Sequence, residues 1–139
     1  MAFQPDILIT TPDGRVMVIE AKVNINDLRR TEEALKRYMV AMQYPFGLLI
    51  TPEKGWVYRD LYSSLSSEPV MQVEEFDSTR IWRRNPPRQG QEFEAFVQQW
   101  IEDLAEFPTE SLPPQLKDIV RHYVLPAIAK GEVKAAHPR

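Results

Sequence analysis

The sequence predicts an α/β fold in which a central mixed β-sheet is flanked by helices and two amphipathic helices close the chain. Three observations carry this. Two β-branched apolar runs, residues 7–11 and 16–19, flank a Pro-Asp-Gly turn signal. A stretch of helical period (24–43) then leads into a continuous apolar run (46–51), the pattern of a crossover helix between neighbouring strands. Finally, residues 91–107 and 115–130 repeat apolar side chains at helical spacing. The 139 residues suit a single domain with a core of its own. Within it we distinguish a sheet and crossover helix (1–76), a basic connector (77–90), a helical pair (91–130) and a tail expected to fray (131–139).

In the first hairpin, Pro12 fixes φ for the corner, Asp13 can bond its own backbone, and Gly14 is expected to supply a positive φ. Pairing Thr11 with Arg15 makes paired residue numbers sum to the same value along the hairpin, which sets Asp6 opposite Glu20. Alternation then places Glu20 and Lys22 on one face, with Val16 and Val18 beside them nearer the turn. Ile7, Ile9, Met17 and Ile19 line the other face. Strands apolar on both sides are expected to be central and covered twice.

Asn24 or Asn26 is expected to cap the following helix, with Asp27 in its first turn. Leu28, Leu35, Tyr38, Met39 and Met42 form its expected buried stripe, and Pro45 closes it. The 46–51 strand turns through Glu53-Lys54-Gly55 into a half-exposed strand at 56–61. A polar, mobile loop is expected at 63–67 and a further strand at 70–76. Residues 80–88 hold the one basic cluster, with Trp82 inside it; packing of Trp82 onto the core is weighed there against a grip on phosphate and base. Phe93, Phe96, Val97, Trp100, Ile101 and Leu104 share one face of the first closing helix. Leu116, Ile119, Val120, Tyr123 and Val124 share one face of the second, which Pro126 is expected to kink or end. These stripes either cover the sheet or form a homodimer interface, and the first use needs no partner.

Composition narrows the class. Net charge is −3 with an isoelectric point near 5.4, so no global basic field draws in polyanions and any basic contacts are local. The chain has no cysteine, which excludes disulfides and thiolate metal sites and suits a reducing compartment. No apolar run reaches membrane-spanning length and the first residues lack a signal-peptide layout, so the expected setting is cytoplasmic, with no membrane partner. His122 and His137 have no acidic or cysteine partner at ligand spacing, and neither is read as catalytic.

Asp6 and Glu20 side by side at the open end of a greasy hairpin are costly as anions unless a cation relieves them. A hard divalent ion does this, and the ammonium of Lys22 can orient water or neutralise developing charge. Together these are the parts of metal-assisted phosphodiester hydrolysis. Pro5-Asp6, thirteen intervening residues and Glu20-Ala21-Lys22, placed on strand, turn and strand, resemble the PD-(D/E)xK motif of the restriction-endonuclease-like nuclease superfamily. The resemblance spans about residues 3–60.

It implies Mg²⁺ or Mn²⁺ held by Asp6, Glu20 and the backbone carbonyl of Ala21. Asp6, Glu20 and Lys22 would be catalytic, and nucleic acid, DNA ahead of RNA, would be the partner in restriction or repair. Lys36, Arg37, Arg80, Arg83 and Arg84 are the candidate phosphate contacts. The sequence departs from the family in two ways. Ala34 stands where some relatives carry a glutamine four residues before the tyrosine matched by Tyr38. The helix and strand that usually precede the Pro-Asp strand, often bringing another acid, do not precede it here. They are expected from the C-terminal part, from a second copy, or from sequence outside this chain. A catalytically inactive nuclease-fold module for binding nucleic acid or protein is the alternative reading.

Overall fold

A computed structural model describes residues 5–62, 69–107 and 109–136. Six strands form one mixed sheet: β1 (Ile7–Thr11), β2 (Gly14–Ala21), β3 (Phe46–Ile50), β4 (Lys54–Asp60), β5 (Val70–Asp77) and β6 (Glu132–Ala135). Their spatial order is β5-β4-β3-β2-β1-β6, with β2 and β3 parallel and every other neighbouring pair antiparallel. Helix α1 (Leu28–Met42) makes the crossover between the parallel pair and covers one face. On the other face lie α2 (Gly90–Asp103), α3 (Pro114–Ile119) and α4 (Leu125–Lys130). The closing helices therefore cover the sheet.

The first hairpin keeps the expected register by a different route. Thr11 pairs with Gly14 and Thr10 with Arg15, so Pro12-Asp13 alone makes the turn and no glycine adopts a positive φ. A bulge at Val16 supplies the twist such a turn lacks, and from Met17 onward the pairs are Ile9–Met17, Leu8–Val18 and Ile7–Ile19. The bulge also turns Val16 to the α2 side, away from Val18, contrary to the simple alternation expected.

Asp27, rather than an asparagine, caps α1, accepting the Arg30 N–H at 3.2 Å, and Gln43 ends it in the left-handed conformation (φ 59°). The buried stripe of α1 is narrower than its spacing suggests: Leu35 and Met39 are fully buried, while Leu28 and Met42 are exposed beyond its ends. Strand β4 is more buried than its alternation implied, because β3 and β5 flank it and both faces are covered; Trp56, Val57 and Tyr58 all lie inside. The expected loop at 63–67 lies outside the described residues.

The last helix is broken, as Pro126 required, but by widening rather than by ending. Pro126 offers no N–H to the turn before it, and a π-turn over Val120–Val124 absorbs the mismatch, the Leu125 N–H reaching back to the Val120 carbonyl. The largest correction concerns the tail. Residues 132–135 do not fray; they form β6, which pairs along β1 from Ile7–Ala135 to Thr10–Glu132. Gly131 makes this possible, since a Cβ there would sit 2.0 Å from the Thr10 carbonyl oxygen.

Candidate functional site

Asp6 stands one residue before β1, held by two backbone bonds: its N–H donates to Ile19 O and its carbonyl accepts from Ala136 N–H, both 3.0 Å. Extending the observed register places it opposite Glu20, as expected from sequence. Both carboxyls are buried, with 2% of each residue exposed. Asp6 Oδ2 accepts the Ala21 N–H at 2.8 Å. Lys22 continues β2, donating its N–H to Ile50 O at 3.0 Å, and its Nζ lies 2.8 Å from Glu20 Oε1 and 3.5 Å from Asp6 Oδ2. At 2.8 Å the Nζ–Oε1 contact is a close, charge-assisted pair. The Lys22 side chain is 44% exposed, so the ammonium closes the site from the solvent side.

A third acid completes the cluster. Glu94, in the second turn of α2, is buried and its carboxyl is hydrogen-bonded to Asp6. It comes from the helical layer opposite α1 and meets Asp6 at the sheet's end. Burial pushes the Asp6 carboxyl above the usual carboxylate range; the bond from Glu94 opposes this, Glu20 adds to it, and Lys22 opposes it more weakly. Buried carboxyls in such contact are costly as anions, and Asp6 registers that cost. For Lys22, burial disfavours the charge, but Glu20, Asp6 and Glu94 outweigh it and raise the ammonium's pKa. Sequence reading missed Glu94, because its position between Phe93 and Phe96 looks like an ordinary polar gap in an apolar stripe. The only available hint was that a buried face so wide leaves a glutamate little room to reach water.

As they stand, no three His, Cys, Asp or Glu side chains among the described residues are arranged to hold an ion. Of the residues matched to the motif, Asp6, Glu20 and Lys22 are brought together, and Ala21 joins them through its N–H.

The candidate phosphate contacts divide. Lys36 and Arg37 lie well along α1, about 14 Å from its capped end at 1.5 Å per residue, in ion pairs with Glu32 (3.6 Å) and Glu33 (3.8 Å). The structure does not bring them to the carboxylates. The connector is different, because it is pinned to the β3–β4 turn at the site's end of the sheet. Trp82 Nε1 donates to Pro52 O (2.9 Å), Ser78 Oγ to Thr51 O (2.8 Å), and Arg88 pairs with Glu53. Trp82 itself is half-buried and packs edge-on against Phe93, Phe96 and Trp100, so it fixes the connector to the core. Arg80 pairs with Asp77 at 3.9 Å, while the guanidiniums of Arg83 and Arg84 lie over the rings of Phe107 and Phe96. Among the described residues no helix is long and apolar enough to cross a membrane. The chain matches no protein-family model, no curated protein sequence and no solved structure.

Proposed function

We propose that this chain is a divalent-metal-dependent nuclease of the restriction-endonuclease-like type, acting on DNA. The observation that carries the reading is the buried convergence of Asp6, Glu20 and Lys22 at one strand end. Two further features support it. The family resemblance implies a strand beside the Pro-Asp strand and a helix that brings an acid. Here β6 lies beside β1 and α2 brings Glu94 to Asp6, an arrangement that supports supply of those elements by the C-terminal part.

The residues suit Mg²⁺ or Mn²⁺ in chemistry: three hard-oxygen side chains, all buried, share a single partly exposed ammonium. Asp6, Glu20 and Glu94 would hold the ion, with the Ala21 carbonyl a further donor by family analogy. The bound ion would polarise the phosphodiester and lower the pKa of water. The Lys22 ammonium lies against the carboxylates while its side chain is 44% exposed. From that rim it would face the non-bridging phosphate oxygens of a bound strand, where positive charge would stabilise the pentavalent arrangement. Burial of the carboxyls excludes bulk water, and the basic connector beside the site receives the flanking backbone.

The decisive experiment incubates supercoiled and single-stranded DNA with the protein in Mg²⁺, Mn²⁺ or EDTA, beside Glu20→Gln and Lys22→Ala. Metal-dependent cutting lost in both variants is expected. Absence of cutting in every lane would leave the inactive binding module, a reading that the closed pairing of Lys22 with Glu20 favours. Cutting retained by both variants would place the chemistry elsewhere.

A further inference from the structure

Beyond the carboxylate site, the connector and the second half of α2 enclose a hollow of about 220 Å³. Phe96 and Trp100 form its apolar floor, Arg83 and Arg84 flank it, and Gln99 and Asp103 sit on its rim. The two guanidiniums are held by rings rather than by carboxylates. Arg83 lies 3.6 Å from the centroid of Phe107 and Arg84 5.1 Å from that of Phe96, and among the described residues neither is in an ion pair. Arginines stacked this way keep their N–H groups available and offer a flat cationic face. On the rim, Gln99 Nε2 donates to Asp103 Oδ1 at 2.9 Å, which fixes an amide and a carboxylate side by side.

We propose that this hollow is a subsite for one unpaired base of a single-stranded nucleic acid, with the adjoining phosphate on Arg83 and Arg84. Each part of the wall matches a part of that ligand. Rings and guanidinium planes stack on the face of a base, guanidinium N–H groups pair with phosphate, and an amide beside a carboxylate can meet both acceptors and amino groups on a base edge. Inorganic phosphate alone would leave the aromatic floor unused, and the Asp103 carboxylate would repel it. The volume admits a single planar ring system rather than a duplex. Glu94 and Gln99 are carried by the same helix, about 7.5 Å apart along its axis, so the hollow lies within a short strand's reach of the carboxylates. The inference rests on the nuclease reading for its context but not for its test.

The test measures binding in EDTA, where no cutting can occur, by quenching of tryptophan fluorescence and by calorimetry. The probes are hexathymidylate, an abasic strand of the same length, and inorganic phosphate. Hexathymidylate is expected to bind and quench, with affinity lowered about tenfold by removing the bases, in keeping with the usual worth of base–aromatic stacking. The double variant Arg83→Gln/Arg84→Gln, with an unchanged circular-dichroism spectrum, is expected to weaken hexathymidylate to a similar extent. Gln99→Ala, which leaves the stacking surfaces intact, is expected to alter preference among homopolymers. A loss on base removal smaller than about threefold, or hexathymidylate binding unchanged in the arginine variant, overturns the subsite. Cutting by the wild type without base-dependent binding would sink this inference alone. Base-dependent binding without cutting would sink the nuclease reading alone.

Discussion

Asp6 Oδ2 accepts the backbone N–H of Ala21 at 2.8 Å, so the residue entering β1 is tied to the last residue of β2. The bond locks the open end of the hairpin and aims the carboxyl across the sheet's end rather than outward. It also leaves Asp6 with one oxygen committed and a remaining capacity that Glu20, Glu94 and Lys22 share. The site is thereby preorganised but carries more carboxyl than its single ammonium neutralises.

Asp6→Asn is therefore expected to stabilise the metal-free protein at neutral pH while abolishing cutting. The amide oxygen can still accept from Ala21, and the amide nitrogen becomes a donor to a neighbouring carboxylate. Because burial raises the Asp6 pKa from 3.8, the folded state binds more protons than the unfolded chain above that value. The stabilising contribution of protonated Asp6 is present below pH 3.8 and is lost as pH rises through the raised value. The gain from asparagine should thus be largest at neutral pH, a melting-temperature rise of about 3–5 °C for ~1 kcal/mol in a chain of this size, and shrink on acidification. Thermal melts of both proteins across pH check it; a gain that grows toward acid would refute the assignment.

Lys22 predicts a split between binding and chemistry. Its ammonium lies 2.8 Å from Glu20 Oε1, where it competes with any incoming cation. Lys22→Ala should bind Mn²⁺ more tightly than wild type, by about tenfold given the strength of charge–charge terms near a protein surface, yet cut nothing. Calorimetry with Mn²⁺ alone reads the first effect and plasmid nicking the second. Weaker Mn²⁺ binding in this variant would mean that the lysine helps build the ion site instead of blocking it.

Much of this arrangement was legible in the sequence, for local reasons. Alternating β-branched runs around a proline turn determine strand, hairpin and facing of Asp6 and Glu20, because strand period and turn position are short-range properties. The bulge at Val16 was not legible: it depends on whether the two-residue turn uses Gly14, a choice settled by the whole hairpin. Strand β6 was hidden for a stronger reason. Residues 132–135 (Glu-Val-Lys-Ala) have little strand character and pair only because β1 presents a free edge more than a hundred residues away in sequence. Glu94 was hidden likewise, since the burial of a single glutamate on an amphipathic helix depends on what the helix covers.

That hidden strand gives a structural prediction. Gly131→Ala should cost about 1–3 kcal/mol, the usual range for overpacking, because the new methyl meets the Thr10 carbonyl at 2.0 Å and the colliding atoms are backbone. The damage should concentrate on β6 and on the Ala136–Asp6 bond. Hydrogen exchange would show lost protection at Leu8 and Thr10, whose N–H groups face β6, while α1 keeps its own. A uniform loss, or none, would mean that β6 does not brace the Asp6 end of β1.

Glu94→Gln separates a third metal-binding carboxylate from a purely structural hydrogen-bond partner. Glutamine preserves the bond to Asp6, now as an amide donor, and removes one buried acid, so the metal-free melting temperature should hold or rise. If Glu94 helps to hold the ion, Mn²⁺ affinity should fall by at least about tenfold, the scale seen when groups supporting a metal site are removed. The Mn²⁺-induced rise in melting temperature should shrink with it. Glu92→Gln, an exposed change one turn from the connector, serves as the control and should alter neither quantity. Unchanged Mn²⁺ binding in Glu94→Gln would confine the ion to Asp6 and Glu20, with α2 contributing only the cover that keeps them dry.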